Sequence, residues 1–376
     1  MQVALLHASA GHGHQKAAEA IREALRAAGV SEKEILLRDA LDDTSPWFKK
    51  IYTSIYFNSV KHTPGLWGAS YDFADRRFLY QNLVKPVREI LNSGVGRRLA
   101  GRMKEANPKV IVSTHFLAPE LLGRLKAGGE ITSFLISVVT DFVPHAFWIN
   151  PGTDHYWVMS DEGKEILEKH GVPSSKITAG GIPIALRFKP QGRKKETRKK
   201  EGLYEDCFTI LLTSGSFGLG PTVEVMEALS LFGDRLQAIV VSGRNEDLLR
   251  TLESKQFPFR VKLHGFVSHM DELMEASDLI IAKPGGITTC ESLAKGVPMV
   301  VMQPIPGQET GNARILKERN AAFFLGKPSD IQTIVKGILD YPVVLEEKKH
   351  EIERLARPNA SMDLARFILE QVKIQK

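Results

Sequence analysis

Residues 279–312 read LIIAKPGGITTCESLAKGVPMVVMQPIPGQETGN and decide the fold class of the second half of the chain. The apolar run Leu279–Ala282 predicts a buried strand, and the turn after Lys283 opens into a helix-length stretch. The next apolar run, Met299–Met302, predicts another strand. A strand, a helix and a second strand in this order indicate a parallel sheet, because parallel neighbours need a long crossover.

The same alternation extends over the rest of the chain and predicts an α/β protein with sheets covered on both faces. The predicted strands of the first half are Gln2–His7, Lys109–Ser113, Thr132–Val138 and His155–Met159. Those of the second half are Phe208–Thr213, Ala238–Ser242, Val261–His264, Asp278–Ala282, Met299–Met302 and Ala322–Leu325. Two helical stretches, Asp330–Leu339 and Leu345–Lys373, are predicted to follow.

Length and composition predict two globular domains. The 376 residues are 43% hydrophobic and 25% charged, which excludes disordered, collagen-like and coiled-coil classes. The predicted domains are residues 1–186 and 203–376, joined by the polar linker 187–202. Two cysteines, no leader-like segment and no apolar run near the ~18 residues of a membrane span predict a cytoplasmic protein.

The net charge of +6 is unevenly distributed. The linker has eight basic and two acidic residues, and residues 47–104 have eleven basic and three acidic ones. Ten aromatic residues lie between Trp47 and Tyr80. Residues 47–104 are therefore predicted to face an anionic membrane surface, or else to form a helical subdomain with an aromatic core.

Three loops have the composition of phosphate-binding turns. Gly11–His14 follows the first strand, Ser214–Ser216 follows a strand of the second half, and Lys283–Gly286 follows another. Glycines expose backbone N–H groups, and a helix that starts there attracts anions. His115, at the end of a predicted strand, is a further candidate for the crevice at the carboxyl ends of the strands.

Side chains suited to the rest of a nucleotide-sugar accompany these loops. Glu291 lies about one turn into the helix after Lys283, where a carboxylate can accept two ribose hydroxyls. Phe266 and Val267 follow a predicted strand and could hold a nucleobase. Gln308, Glu309 and Asn312 could bind sugar hydroxyls, although each alone also suits a solvated surface.

Three stretches together resemble the GT-B glycosyltransferases that use UDP-sugars, and more narrowly the monogalactosyldiacylglycerol synthase and bacterial diacylglycerol glucosyltransferase family. They are Gly11–His14, Val139–Trp148 and Lys283–Asn312. The resemblance covers nearly the whole chain. It implies two Rossmann-like, doubly wound parallel-sheet domains facing an interdomain cleft. It also implies inverting transfer of glucose or galactose from a UDP-sugar to the hydroxyl of 1,2-diacylglycerol, at the cytoplasmic face of the cell membrane.

By position, the resemblance implies catalytic roles for Asp141 and for His14, the latter as general base. It places Gly13, His145 and Trp148 at the acceptor lipid. The donor-binding residues that it implies are Ser214, Gly215, Ser216, Phe266, Val267, Lys283, Gly285, Gly286, Thr288, Glu291, Gln308, Glu309 and Asn312.

Two details refine the resemblance. His12 replaces the middle glycine of the plant-type Gly-Gly-Gly-His loop, and the short Asp141-to-His145 spacing is more like the bacterial glucosyl enzymes. No Asp-x-Asp motif or Cys/His cluster occurs, so no metal or cofactor is predicted, and the UDP-sugar is a substrate. The residues leave open a soluble UDP-sugar epimerase, a small-molecule glycosyltransferase and a non-catalytic UDP-sugar-binding regulator, and no nucleic-acid partner is predicted.

Overall fold

The structure, a computed structural model, describes residues 2–9, 11–52, 65, 68, 96–307 and 309–375. The chain forms two compact units. The first consists of Met1–Leu186, Ile305–Gly311 and Arg357–Lys376. The second consists of Arg187–Pro304 and Asn312–Ala356.

The first unit contains a six-stranded parallel sheet in the order β2-β1-β3-β4-β5-β6. Its strands are β1 Val3–His7, β2 Ile35–Asp39, β3 Val110–Ser113, β4 Phe134–Val138, β5 His155–Val158 and β6 Ile177–Ala179. The helices before residue 187 with both ends described are α1 His12–Ala27, α2 Arg97–Ala106, α3 Leu117–Ala127 and α4 Asp161–Lys169, and residues 46–52 are also helical. The edge strands β2 and β6 were not predicted from the sequence.

Alternate residues of these strands point to opposite faces of the sheet, and both faces are buried. One face packs Val3 and Leu5 with Ile21 of α1. The other packs Leu6 and Ile111 with helices α2 and α3. Burial on both faces explains why the strands are almost wholly apolar.

The second unit contains another six-stranded parallel sheet, in the order β12-β11-β10-β7-β8-β9. Its strands are β7 Phe208–Thr213, β8 Leu236–Val241, β9 Val261–His264, β10 Leu279–Ala282, β11 Met299–Val301 and β12 Ala322–Phe324. The remaining helices are α5 Lys194–Lys200, α6 Thr222–Leu229, α7 Glu246–Glu253, α8 Met270–Ala276, α9 Gly286–Lys295, α10 Thr310–Glu318, α11 Asp330–Asp340, α12 Val343–Leu355 and α13 Ala360–Ile374. The predicted α/β class with two parallel sheets is confirmed.

The linker and the end of the chain differ from the sequence-based expectation. Residues 187–202 belong to the second unit and contain the helix α5. Arg198 of this helix is buried, and its guanidinium binds the Asp278 carboxylate at 2.7 Å and the Ala276 carbonyl at 2.7 Å. Polarity alone therefore indicated a loop where buried ion pairing stabilises a helix.

The C-terminal helix α13 belongs to the first unit rather than the second. Its Leu364, Ala365 and Ile368 pack in the same core as Val3 and Leu5. The predicted helical stretch Leu345–Lys373 is divided because Pro358 lies between α12 and α13.

Each sheet has one place where the chain reverses the direction of strand addition. In the first sheet, β1 lies between β2 and β3, and in the second, β7 lies between β10 and β8. Loops that leave such neighbouring strands in opposite directions open a crevice at the carboxyl ends of the strands. A ligand is therefore expected at the loops after β1 and β3 and at those after β7 and β10.

None of the helices that the structure describes combines the length and the apolar character needed to cross a membrane.

Candidate active site

His14 follows Gly13 in the first turn of α1, the helix that comes after β1. Its Nδ1 is 2.6 Å from the backbone carbonyl oxygen of Thr114, the residue after β3. The Thr140 hydroxyl, two residues beyond β4, is 3.0 Å from the same nitrogen. The Thr114 hydroxyl in turn donates to the His14 carbonyl at 2.7 Å. Three neighbouring strand ends thus hold one imidazole.

These contacts define the tautomer of His14. A carbonyl oxygen can only accept a hydrogen bond, so the short contact to Thr114 requires a proton on Nδ1. In the neutral ring the lone pair then lies on Nε2. A histidine held in this way has the form required of a general base that acts through Nε2.

Burial lowers the pKa of His14 to about 4, against an opposing effect of the hydrogen bond to the Thr114 carbonyl. The nearby His7 lowers the same pKa further. Desolvation disfavours the charged imidazolium, so His14 is neutral at physiological pH. It can therefore accept a proton without first losing one.

Other aromatic side chains surround His14. The His115 ring packs edge-on at 4.5 Å between ring centroids, and the Trp148 ring lies at 6.4 Å. His115 and Trp148 are both buried. This apolar surrounding is the source of the desolvation that lowers the His14 pKa.

The predicted acceptor residues have distinct positions. His145 caps the short 3-10 helix Ala146–Trp148, because its Nδ1 accepts a hydrogen bond from the Phe147 N–H at 3.0 Å. Trp148 packs against Val139 in a buried cluster. Asp141 is buried and follows Thr140 directly in the chain. His145 thus has a defined structural task as well as its predicted role.

In the second unit, the loop after β7 contains the predicted residues Ser214, Gly215 and Ser216. The buried Ser214 hydroxyl is 2.6 Å from the Thr222 hydroxyl at the start of α6. Gly218 has φ of 59°, and a Cβ there would lie 2.4 Å from the Ser242 carbonyl oxygen. Only glycine allows this close turn.

The loop after β10 leads into α9 through Lys283, Gly285 and Gly286. Gly285 is the N-cap residue, has extended backbone and makes no side-chain capping hydrogen bond. The first N–H groups of α9 are therefore not capped by the residue that precedes them, and the partial positive charge of the helix start is added to Lys283. Thr288, partly exposed, lies in the first turn. This combination suits a diphosphate.

Glu291 and Asn312 are more deeply buried than their predicted roles suggest. The exposed fraction of Glu291 is 3%, and that of Asn312 is 0%. The Asn312 side-chain amide donates to the Pro284 carbonyl at 2.9 Å. Asn312 therefore supports the loop before α9 from behind, and its burial argues against direct contact with a sugar.

The remaining predicted donor residues have different surroundings. Phe266 is 55% exposed, and the Arg244 guanidinium carbon lies 5.2 Å from its ring centroid. Val267 is partly exposed beside it. Glu309 belongs to the segment Ile305–Gly311 of the first unit, and its carboxylate accepts the Ile305 N–H at 2.8 Å. Gln308 lies outside the described residues.

Sequence reasoning missed the contributions of Thr114 and Thr140 to the His14 environment. Both lie just beyond the end of a predicted strand, which is the signal that could have identified them. The contact at Thr114 could not be predicted from residue type, because every residue has a backbone carbonyl. Strand order, which brings β1, β3 and β4 side by side, was needed to connect them.

Two family models match consecutive parts of the chain. The model described as "Monogalactosyldiacylglycerol (MGDG) synthase" matches residues 14–184. The model described as "Glycosyltransferase family 28 C-terminal domain" matches residues 209–359. The first match includes the His14 environment, and the second includes the loops after β7 and β10.

Individual proteins agree with these models. A "Processive diacylglycerol beta-glucosyltransferase" of Bacillus pumilus is 29% identical over 375 residues, which cover 98% of this chain and 95% of the relative. The crystal structure of Acinetobacter baumannii MurG has a TM-score of 0.62 at 15% identity, with 98% and 99% of the two chains covered. The predicted GT-B fold is confirmed.

The fold does not by itself decide the reaction. The UDP-GlcNAc 2-epimerase of Neisseria meningitidis, solved with UDP-GlcNAc bound, also has a TM-score of 0.62, at 14% identity and with 98% and 100% coverage. The full-length relatives and the family models therefore carry more weight for function than the structural likeness does.

Proposed function

Since this chain belongs to the monogalactosyldiacylglycerol synthase and diacylglycerol glucosyltransferase family of GT-B enzymes, we propose that it transfers glucose from UDP-glucose to the hydroxyl of 1,2-diacylglycerol. The reaction class, hexose transfer to diacylglycerol with formation of a glycolipid, follows from the family. The choice of glucose rests on the names of the relatives, which are beta-glucosyltransferases. The observation that carries the mechanism is the fixed, neutral imidazole of His14.

In the proposed reaction, Nε2 of His14 takes the proton of the diacylglycerol hydroxyl as its oxygen attacks the anomeric carbon. The bond from that carbon to the UDP oxygen breaks, and the configuration inverts. Asp141 is proposed to assist at the same centre. The start of α9 and Lys283 stabilise the charge that develops on the departing diphosphate, so this step requires no metal ion.

The proposed donor contacts follow the loops of the second unit. Ser216, Gly285 and Thr288 would bind the diphosphate, Glu291 the ribose, and Phe266 with Val267 the uracil. Asn312 is proposed to position the α9 loop rather than to touch the sugar, because its amide is engaged by Pro284. Gln308 and Glu309 remain the proposed partners of the sugar hydroxyls.

A donor screen tests this function directly. Purified protein is incubated with UDP-glucose, UDP-galactose or UDP-N-acetylglucosamine and with diacylglycerol in anionic liposomes, and glycolipid and UDP are quantified. We expect UDP-glucose to give glucosylated diacylglycerol, with one UDP released for each glucose transferred. Conversion of a UDP-sugar without glycolipid would indicate an epimerase, and binding without turnover would indicate a regulator.

The role of His14 is tested by His14→Ala. Loss of a positioned general base typically lowers turnover by about 10²–10⁴-fold, whereas UDP binding, which uses loops of the second unit, should remain within about twofold. The matched control is His350→Ala, since His350 is exposed on α12. Wild-type turnover in His14→Ala would remove His14 from the mechanism.

A further inference from the structure

A second cluster of chemically active side chains lies in the second unit, and none of its members belongs to the loops after β7 and β10. It consists of Glu201, which follows α5, and two histidines at the ends of the segment between β9 and α8. His264 is the last residue of β9, and His269 directly precedes α8. One ligand atom from each of the three residues lies within 4.8 Å of the others.

The atoms of this cluster converge. One carboxylate oxygen of Glu201 is 2.9 Å from Nε2 of His264, and the other is 3.8 Å from Nε2 of His269. The two imidazole planes are inclined by 81° at a centroid distance of 5.8 Å, so the rings do not stack. Zinc ligands at about 2.0–2.2 Å in tetrahedral geometry are roughly 3.4 Å apart, which lies between the two observed separations.

The electrostatic setting favours a cation. The Glu201 side chain is only 6% exposed, and among the described residues its ion pairs within 4 Å are with these two histidines. The adjacent Lys200 is engaged elsewhere, since it pairs with Glu272 at 2.7 Å. A buried carboxylate is costly unless a positive charge compensates it, and a cation bound between Glu201 and the two imidazoles would supply that charge.

We propose that Glu201, His264 and His269 form a zinc-binding site. Two imidazole nitrogens and one carboxylate are a ligand set that zinc accepts, and His269, 35% exposed, leaves room for water as fourth ligand. The ion would connect the end of α5 to the segment 264–269, which carries Phe266. This proposal is independent of the proposed enzymatic function.

Metal analysis of the intact protein tests the site. The protein is stripped with chelator, dialysed against micromolar zinc chloride and analysed for bound zinc per chain. The site variants are Glu201→Gln, which retains size and hydrogen bonding, and His269→Asn. The matched control is His350→Asn, an exposed histidine on α12.

We expect the wild-type protein and His350→Asn to retain one more zinc per chain than either site variant. Comparison between variants is needed because His14 and His115 lie together in the first unit and can also attract zinc. Zinc should also raise the melting temperature of the wild type but not of His269→Asn, whose folding is checked by circular dichroism.

Equal zinc content in the wild type and the folded His269→Asn variant would overturn the proposal and leave a hydrogen-bonded Glu–His pair. The same holds if the wild type retains no zinc above the dialysis background. Neither readout uses a UDP-sugar, so a failed donor screen and a failed metal analysis are separate results.

Discussion

The backbone carbonyl of Thr114 determines which nitrogen of His14 is available for chemistry. Its short contact places the proton on Nδ1, and the Thr140 hydroxyl lies on the same side of the ring. Nε2 is thereby left as the proton acceptor, while burial keeps the ring neutral. A residue whose role was implied by its place in the Gly11–His14 loop and by a family resemblance thus acquires a defined protonation state from two neighbouring strands.

The low pKa of His14 predicts an unusual pH profile. A general base works when deprotonated, so activity is lost as pH falls through the pKa of the free enzyme, about 4, and not near 6.5. We expect kcat/KM to be flat between about pH 5 and 7. An acidic limb centred near 6.5 would contradict this, provided circular dichroism shows that the fold is retained.

Thr140 provides a test of positioning at the same site. Thr140→Val removes the hydroxyl near Nδ1 and should lower kcat by roughly tenfold, with little change in KM for the UDP-sugar. Thr140→Ser retains a hydroxyl and should restore most of the activity. If the serine and valine variants behave alike, the hydroxyl does not position His14.

At the scale of single elements, α9 is a helix with a glycine at both of its cap positions. Its N-cap residue is Gly285, which has no side chain to cap the helix. Its C-cap residue is Gly296, whose φ of 68° lies in the left-handed region. A Cβ at Gly296 would meet no atom within 4 Å, so any cost of a side chain there comes from the backbone alone.

Two glycine-to-alanine substitutions test whether the cost of a side chain at Gly296 comes from its backbone conformation. Gly296→Ala should lower the free energy of unfolding by about 1–2 kcal/mol, since an L-residue in this conformation is strained. Gly337→Ala, inside α11 where a Cβ also meets no atom within 4 Å, should raise it by about 0.5–1 kcal/mol. Urea unfolding measures both changes, and equal signs would contradict the distinction.

The elements also show what the sequence could and could not predict. Central strands such as β1, β7 and β10 were predicted nearly to the residue because both faces are buried and the runs are continuously apolar. The edge strand β2 was missed because only Ile35 of its five residues is fully buried. Helix α5 was missed because its stabilising partner, Asp278, lies eighty residues away from Arg198 in the chain.

Some features of the candidate site could be predicted from the local sequence, and others could not. Glycine-rich turns after strands were recognisable because their composition is required locally. The burial of Asn312 against Pro284 was not, since the direction of a side chain on α10 depends on packing between distant segments. The Glu201–His264–His269 cluster was missed for the same reason, because its members come from two separate parts of the chain.

At the scale of the whole molecule, many of the basic residues that produce the positive charge of the linker are paired with acidic residues in the structure. Five of the eight basic residues in 187–202 form ion pairs with acidic residues of the second unit. These pairs are Arg187–Asp271, Lys194–Asp278, Lys195–Asp206, Arg198–Asp278 and Lys200–Glu272. The linker therefore attracts anionic lipid less than its composition indicates.

The predicted membrane attachment depends mainly on residues 47–104. This segment lies largely outside the described residues and begins at Trp47, which is 72% exposed.

Vesicle binding distinguishes these two basic segments. Arg98→Gln, a change at an exposed residue of α2, should weaken binding to anionic liposomes about fivefold at low salt, the effect of losing about 1 kcal/mol per basic residue near the surface. Lys195→Gln, a matched change at a lysine paired with Asp206, should have little effect. High salt should reduce binding of all variants. If Lys195→Gln weakens liposome binding more, the linker 187–202 is the main membrane-binding segment.

The position of α13 has a consequence for biosynthesis. Residues 187–356 are translated before Ala360–Ile374, yet Leu364 and Ile368 complete a core that begins with Val3. The second unit therefore has its entire sequence available on the ribosome while one face of the first sheet still lacks the part of its cover that α13 supplies. We therefore expect the second unit to be able to fold first, while the apolar residues of the first unit that α13 covers stay exposed and accessible to chaperones.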